Sequence, residues 1–67
     1  MTNPSYRSSS FLLGALTIRQ SEASLCRSRA IGEAELNHIG NALYFLSLAD
    51  YHDSVAAKYI IEIGESK

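Results

Sequence analysis

The apolar positions of this chain recur with a helical period, and in its second half they cover an unusually broad surface. From Ala34 to Gly64 the sequence has no proline and is rich in residues that favour helices. On a helical wheel at about 100° per residue, the polar residues fall into one narrow stripe, namely Asn37, Asn41, Ser47, Ser54, Lys58, Glu62 and Glu65. The apolar surface is about twice as wide as the roughly 100° stripe of an ordinary surface helix. This pattern predicts a helix that must be covered on two sides.

A shorter helix is predicted before it, from about Ser9 to Arg29. Its apolar residues share one side of the wheel, and they are Phe11, Leu12, Ala15, Leu16, Ile18, Ala23, Leu25 and Cys26. The start of this helix stays open: Asn3 before Pro4 is one possible N-cap, and the serines at 8, 9 and 10 offer later starts. Residues 1–8 are interpreted as a flexible tail.

The connection between the two helices is predicted at residues 30–33. Gly32 suits the left-handed position that follows a helix, and Arg27 and Arg29 would then lie in a last turn, where cations are favoured. Glu33 and Glu35 would open the second helix. The sequence therefore predicts an all-α fold, an antiparallel two-helix hairpin over residues 9–64 with a short first helix and a longer second one. Residues 65–67 form a tail.

A longer second helix would extend past its neighbour and leave its last turns without cover. Those turns hold Tyr59, Ile60, Ile61 and Ile63. Burying four such side chains contributes about 6–10 kcal/mol before entropy costs are counted. We therefore expect a homodimer in which two hairpins form a helical bundle, with Ile60, Ile61 and Ile63 in the contact.

Size and composition favour the same conclusion. At 67 residues, a single core is marginal unless disulfides, metal or oligomerisation add to it. Cys26 is the only cysteine; it is interpreted as a small core residue, with an intermolecular disulfide as the alternative. His38 and His52 stand apart from metal-ligand spacings, and no nucleophile completes a triad with them. We expect a non-enzymatic protein without metal or cofactor.

Charge and hydropathy restrict the classes of partner and the cellular location that we expect. The net charge is −1: four arginines and one glutamate give residues 1–31 a net of +3, while two lysines and six acidic residues give residues 32–67 a net of −4. The isoelectric point near 6.0 lies far below the value above about 9 that is typical of small nucleic-acid binders, so the charge argues against nucleic acid as the partner. Neither a signal peptide nor an apolar run of about 18 residues is evident, so we expect a cytoplasmic protein that does not enter membranes.

Small residues on the second helix predict where it packs against the first. This predicted contact line consists of Ala42, Leu46, Ala49, Asp53, Ala56, Ala57 and Ile60. Because a carboxylate inside such a line must be paired, Asp53 is expected to be at least half buried and to meet an arginine of the first helix, with Arg19 as the candidate. The alternative is that Asp53 binds a basic residue of a target.

A second set of side chains suggests a binding surface. The predicted partner-binding residues are Tyr44, Leu48, Tyr51, Val55 and Tyr59. Tyrosine is common at interfaces because it combines a large apolar body with a polar tip. Two interpretations stay open: the tyrosines lie over a contact between two copies, or they anchor a different protein.

The run Asn41-Ala42-Leu43-Tyr44-Phe45 through Ala56-Ala57-Lys58-Tyr59 resembles the small phage-encoded anti-activators of Pseudomonas-type hosts. Proteins of that group bind the ligand-binding domain of a LuxR-type quorum-sensing activator, and relatives bind the type IV pilus assembly ATPase. The resemblance implies a stoichiometric inhibitor of a larger host regulatory protein, located in the bacterial cytoplasm.

A different class is suggested by residues 49–53. The run Ala49-Asp50-Tyr51-His52-Asp53 is similar to the Ala-Ala-Asp-His-Arg run of small nucleoid-associated modulators, although the arginine and the basic neighbours of that run are missing here. The alternative function is therefore a dimeric regulator or co-regulator linked to DNA. Salt dependence separates the two classes, because nucleic-acid binding weakens steeply as salt rises.

Overall fold

A computed structural model describes residues 8–65, and within that range the chain forms two packed helices without strands. Helix α1 spans Ser9–Glu35 and helix α2 spans Ile39–Glu65. The prediction of an all-α two-helix hairpin is confirmed. Helix α1 begins after Ser8, whose hydroxyl oxygen accepts a hydrogen bond from the backbone N–H of Phe11 at 3.2 Å, which is the role of an N-cap residue. The alternative start at Asn3 and Pro4 lies outside the described residues.

The predicted connection at residues 30–33 is wrong. Helix α1 continues through Gly32, which has no positive φ, and the chain turns at Asn37, whose φ is 65°. Asparagine is among the few residues that adopt this left-handed conformation at modest cost. The backbone N–H of His38 donates to the carbonyl of Glu33 at 2.8 Å, and that of Asn37 donates to the carbonyl of Ala34 at 2.9 Å. These two bonds form a Schellman motif, which satisfies carbonyl groups that the end of a helix leaves unpaired.

The position of the turn makes the two helices equal in length, at 27 residues each. The predicted short first helix and longer second helix are therefore wrong, and α2 has no overhanging end. Ile63 is partly buried in this hairpin, whereas Ile60 and Ile61 remain exposed on its surface. The two isoleucines are exposed because of the direction in which they point, and not because α1 is too short to reach them.

The buried core consists almost entirely of alanine. The buried residues are Leu12, Ala23, Ala30, Ala42, Ala49 and Ala56. In α2 they recur every seven residues, as in an antiparallel coiled coil whose contact positions repeat with that period. Three alanines of the contact line predicted for α2 are confirmed in this position. Leu46, Ala57 and Ile60 are exposed instead, because the contact line runs on the other side of the alanines, through the partly buried Phe45, His52 and Tyr59.

Helix α1 buries part of the side that its spacing predicted: Leu12 and Ala23 are buried, and Ala15, Leu16 and Cys26 are partly buried. Phe11, Ile18 and Leu25 are 54–62 % exposed, although their spacing placed them on its apolar side. The partly buried Arg19, Cys26 and Glu33 continue the contact line with the alanines. Polar residues are accommodated there because they find hydrogen-bond partners across the hairpin, as Arg19 does with His52.

Two contacts across the hairpin define the register of the helices. Arg19 contacts His52, and Glu33 contacts His38. The step from Arg19 to Glu33 is fourteen residues toward the end of α1, and the step from His52 to His38 is fourteen residues toward the start of α2. The two helices therefore stay in register over this length. The same register brings Cys26 level with Phe45, and Ser9 at the start of α1 level with the last turn of α2.

Candidate functional site

The balance of buried and exposed side chains points to contact with another protein surface. Among the described residues, Leu12 is the only large side chain in the buried core. Thirteen large apolar or aromatic side chains are between 43 and 65 % exposed. Single exposed apolar residues are normal on proteins, but extended groups of them mark interaction sites. The hairpin buries the small residues of its two helices and presents the large ones.

The predicted binding residues of α2 lie along one side of that helix, which we name the tyrosine face: Tyr44, Leu48, Tyr51, Val55 and Tyr59. Successive members are three or four residues apart, so they form one continuous stripe. Tyr44 and Tyr51 are 59 and 57 % exposed, while Leu48, Val55 and Tyr59 are partly buried against the hairpin. The two exposed tyrosines therefore stand at the outer edge of a supported surface.

Aromatic and arginine side chains hold the tyrosine face in position. Tyr44 packs edge-to-face on Phe45 with ring centroids 5.4 Å apart, and Tyr51 packs in the same manner on His52 at 5.6 Å. The guanidinium carbon of Arg19 lies 5.7 Å from the centre of the Tyr51 ring, within the range of a cation–π contact. These contacts restrict the rotamers of the two exposed rings.

Arginine on α1 adds positive charge beside the tyrosine face. Arg29 lies over the ring of Phe45, 5.1 Å from its centre. Arg19 donates from Nη1 to Nδ1 of His52 at 2.9 Å, so the imidazole accepts at Nδ1 and carries its proton on Nε2. Neither guanidinium contacts a carboxylate within the described part of the chain.

An open groove adjoins the tyrosine face near the turn. Its volume is about 480 Å³, and it is lined by Leu25, Ser28, Arg29, Gly32, Glu33 and Leu36. Leu25 and Leu36 are 62 and 65 % exposed and provide its apolar surface. Sequence reasoning did not assign these residues to a site, because it placed the end of the first helix at Gly32. The signal that could have identified them is the seven-residue spacing of Phe11, Ile18 and Leu25, which continues to Gly32.

Glu33 fixes the turn beside this groove. Its Oε1 accepts from Nδ1 of His38 at 3.1 Å and from Nδ2 of Asn41 at 3.0 Å. The hydrogen bonds from Asn41 and from His38 lower the pKa of the Glu33 carboxyl below its ordinary value, because they favour the ionised form. One carboxylate at the end of α1 thus connects the turn to the first turn of α2.

Asp53 does not have the partner that the sequence predicted. Its carboxylate pairs with Arg27, while Arg19 bonds to His52. The expected half-burial of Asp53 and its pairing with an arginine of α1 are confirmed, since its side chain is 45 % exposed and that of its partner Arg27 is 47 % exposed. Only the identity of the arginine was wrong. Arg19 points to the opposite side of the hairpin from Asp53. An ion pair this exposed contributes about 0–1 kcal/mol, and its effect is on orientation more than on stability.

The remaining chemistry of residues 8–65 is sparse. His52 and Asp53 face different partners, and Cys26 is a partly buried free thiol. Residues 8–65 contain no group of histidine, cysteine and acidic side chains arranged to hold a metal ion. Neither described helix is long and apolar enough to cross a membrane.

Comparison with known proteins gives no assignment: no family model, no curated protein and no solved structure matches this chain.

Proposed function

We propose that this protein is a non-enzymatic interaction module that binds a larger regulatory protein through its tyrosine face and inhibits it. The observation that carries the proposal is the pair of half-exposed tyrosines, each already packed against an aromatic ring of the hairpin. Tyrosine and arginine are the residues most enriched at energetic hot spots of interfaces. Rings that are ordered before binding lose less entropy when a partner docks.

The charges beside the tyrosines define the chemistry of the target. Arg19 and Arg29 lie under and beside the aromatic rings, and the adjoining groove offers Leu25 and Leu36. A matching segment presents apolar side chains to the groove and the rings, with acidic groups toward the arginines. An amphipathic helix has this arrangement, and helix-in-groove docking is a recurring mode of recognition.

The resemblance to phage anti-activators gives the proposal its specific form. The candidate targets are the ligand-binding domain of a LuxR-type quorum-sensing activator and the type IV pilus assembly ATPase. In either case the hairpin acts by stoichiometric occlusion, which requires no catalytic residue and no cofactor.

Self-association is part of the proposal. A hairpin with one large buried side chain and thirteen large exposed ones has more apolar surface than one binding site requires. We therefore propose that two copies form a dimeric helical bundle, which leaves the tyrosine face free for the target. Oligomerisation is a usual way for a chain of this size to enlarge its core.

The test replaces both exposed tyrosines and measures the affinity for each purified candidate target by calorimetry. Tyr44→Ala with Tyr51→Ala is expected to weaken binding at least about thirtyfold, since truncating one hot-spot residue costs about 2 kcal/mol or more. Ser47→Ala with Ser54→Ala is the matched control, because it has the same spacing on the outer side of α2. Unchanged affinity of the tyrosine variant would show that the target docks elsewhere.

Two further measurements separate the alternatives. If neither purified target binds the wild-type protein at tens of micromolar, the specific form of the proposal fails. Binding to duplex DNA that weakens steeply between 50 and 200 mM salt, as counterion release predicts, would instead support the regulator linked to DNA. Loss of the dimer in the tyrosine variant would assign these rings to the contact between copies.

A further inference from the structure

A second apolar surface lies on the other side of the hairpin. We name it the aliphatic face, and it consists of Leu13 and Ile31 of α1 with Ile39, Leu43, Leu46 and Ile60 of α2. Each of these side chains is between 43 and 62 % exposed. Leu48 follows Ile39 by nine residues, and Ile60 follows Tyr51 by nine residues. At about 100° per residue, nine residues amount to two and a half turns, which places the two side chains of each pair on opposite sides of the helix. The aliphatic face and the tyrosine face are therefore on opposite sides of α2.

The composition of the aliphatic face distinguishes it from the tyrosine face. Its six members have purely hydrocarbon side chains, and tyrosine is absent from it. The Arg27–Asp53 ion pair crosses the middle of this face, with Ile31, Ile39, Leu43 and Leu46 toward the turn and Leu13 and Ile60 toward the other end. Contacts between permanently associated copies are more hydrophobic than contacts with changing partners. The aliphatic face has the composition of a contact between permanently associated copies.

The area is sufficient for such a contact. Six side chains that are each about half exposed present about 600 Å² per chain, so two copies would bury about 1,200 Å², the lower end of the range for specific interfaces. Ala34 and Ala57, which are also exposed, add to this surface on either side of the ion pair.

We propose that the aliphatic face is covered by a second copy of this chain, related by a two-fold axis parallel to the helices, so that turn lies on turn. This inference rests on the self-association proposed above and assigns its surface and orientation. In this arrangement α1 of each copy packs on α2 of the other. Ile31 then meets Ile39 and Leu43 of the second copy, and Leu13 meets Ile60 of the second copy.

Charge favours the turn-on-turn orientation over the reverse one, in which the turn of each copy lies on the open end of the other. Asp50 is exposed at the edge of the aliphatic face, and its carboxylate makes no hydrogen bond or ion pair within residues 8–65. With turn on turn, Arg27 of one copy approaches Asp50 of the other. With the turn on the opposite end, α2 would pack on α2 and bring the two Asp50 carboxylates together near the centre, where like charges repel.

Sedimentation equilibrium of the full chain at micromolar concentration provides the first test. The wild-type mass is expected to be twice the 7.4 kDa of the chain. Asp50→Arg is expected to weaken the dimer at least tenfold, because it places two cations together between copies and breaks no contact within one. Ser47→Arg, on the outer side of α2, is the matched control and is expected to leave the dimer unchanged.

Cross-linking tests the orientation. In a Cys26→Ser background, one chain carries Leu13→Cys and the other carries Ile60→Cys, and the mixture is oxidised mildly. The turn-on-turn dimer is expected to give a disulfide-linked pair, whereas a mixture of Leu13→Cys and Ala34→Cys chains is expected to give none. A disulfide between the Leu13→Cys and Ala34→Cys chains, with none between the Leu13→Cys and Ile60→Cys chains, would establish the reverse orientation and overturn this inference.

The outcomes separate this inference from the broader proposal. A wild-type chain that sediments as a monomer overturns self-association and with it the assignment of the aliphatic face, while target binding by the tyrosine face stands or falls on its own assay. A stable dimer that Asp50→Arg leaves unaffected overturns the assignment of the face alone.

Discussion

Replacing Gly32 by alanine tests where the hairpin turns, because the two possible positions of the turn predict effects of opposite sign. Gly32 lies inside α1 without a positive φ, and beyond its chain neighbours and the nearby backbone of its own helix, a Cβ atom built on it meets nothing within 4 Å. Alanine there gains helix propensity without any steric conflict. Glycine is less favourable than alanine in a helix interior by about 1 kcal/mol, so Gly32→Ala is expected to stabilise the hairpin by that amount.

The effect is large enough for thermal unfolding followed by circular dichroism. A stabilisation of about 1 kcal/mol raises the Tm of a domain of 60–100 residues by about 4–8 °C. Protein concentration must be held fixed, because self-association makes the Tm depend on it. Gly14→Ala is the matched control, since Gly14 lies in the same helix with equally open space around it, and it should give a similar increase.

The result that would refute this reasoning is a loss of stability. If Gly32 occupied the left-handed position that ends a helix, alanine would cost about 1 kcal/mol or more, because the Cβ atom disfavours that conformation. Gly32→Ala would then lower the Tm while Gly14→Ala raised it. Asn37→Ala completes the comparison, because the structure places the positive φ at Asn37 and this change is expected to destabilise.

Two further predictions concern the core and the turn. Ala49→Leu is expected to cost about 1–3 kcal/mol by overpacking, because Ala49 is fully buried between the helices. Ser54→Leu, which is exposed on the outer side of α2, should be nearly neutral, and equal effects of the two changes in urea unfolding would contradict the contact line between the helices. Since the pKa of Glu33 is lowered in the folded state, its stabilising contribution should be fully present above about pH 4.5 and be lost as the pH falls through the lowered pKa. Glu33→Gln should remove that part of the acid dependence, and an identical acid transition in the variant would show that the turn does not depend on this carboxylate.

Local pattern was sufficient to predict the class of fold and much of the contact line of α2. The long stretch without proline and the seven-residue spacing of Ala42, Ala49 and Ala56 are properties of the chain itself. They predict a helix with small residues along its contact line, and the structure buries those three alanines. The stripe that includes Tyr44 and Tyr51 is also a consequence of helical spacing, so its position on one side of α2 could be derived without coordinates.

The position of the turn depended on tertiary contacts. Gly32 carries a strong local signal for the end of a helix. It was overridden because Glu33 gains hydrogen bonds from His38 and Asn41 when the chain turns five residues later, at Asn37. A glycine in a helix interior costs about 1 kcal/mol, an amount that a few such contacts offset.

The pairing of charges and the choice of buried side also followed from the register of the two helices. Once the turn moves, Arg27 reaches Asp53 and Arg19 reaches His52, and Leu25 turns outward to line a groove. Periodicity alone establishes which residues share a side of a helix. Which side is buried depends on the neighbouring helix, because burial is a property of the packed pair and not of either sequence segment.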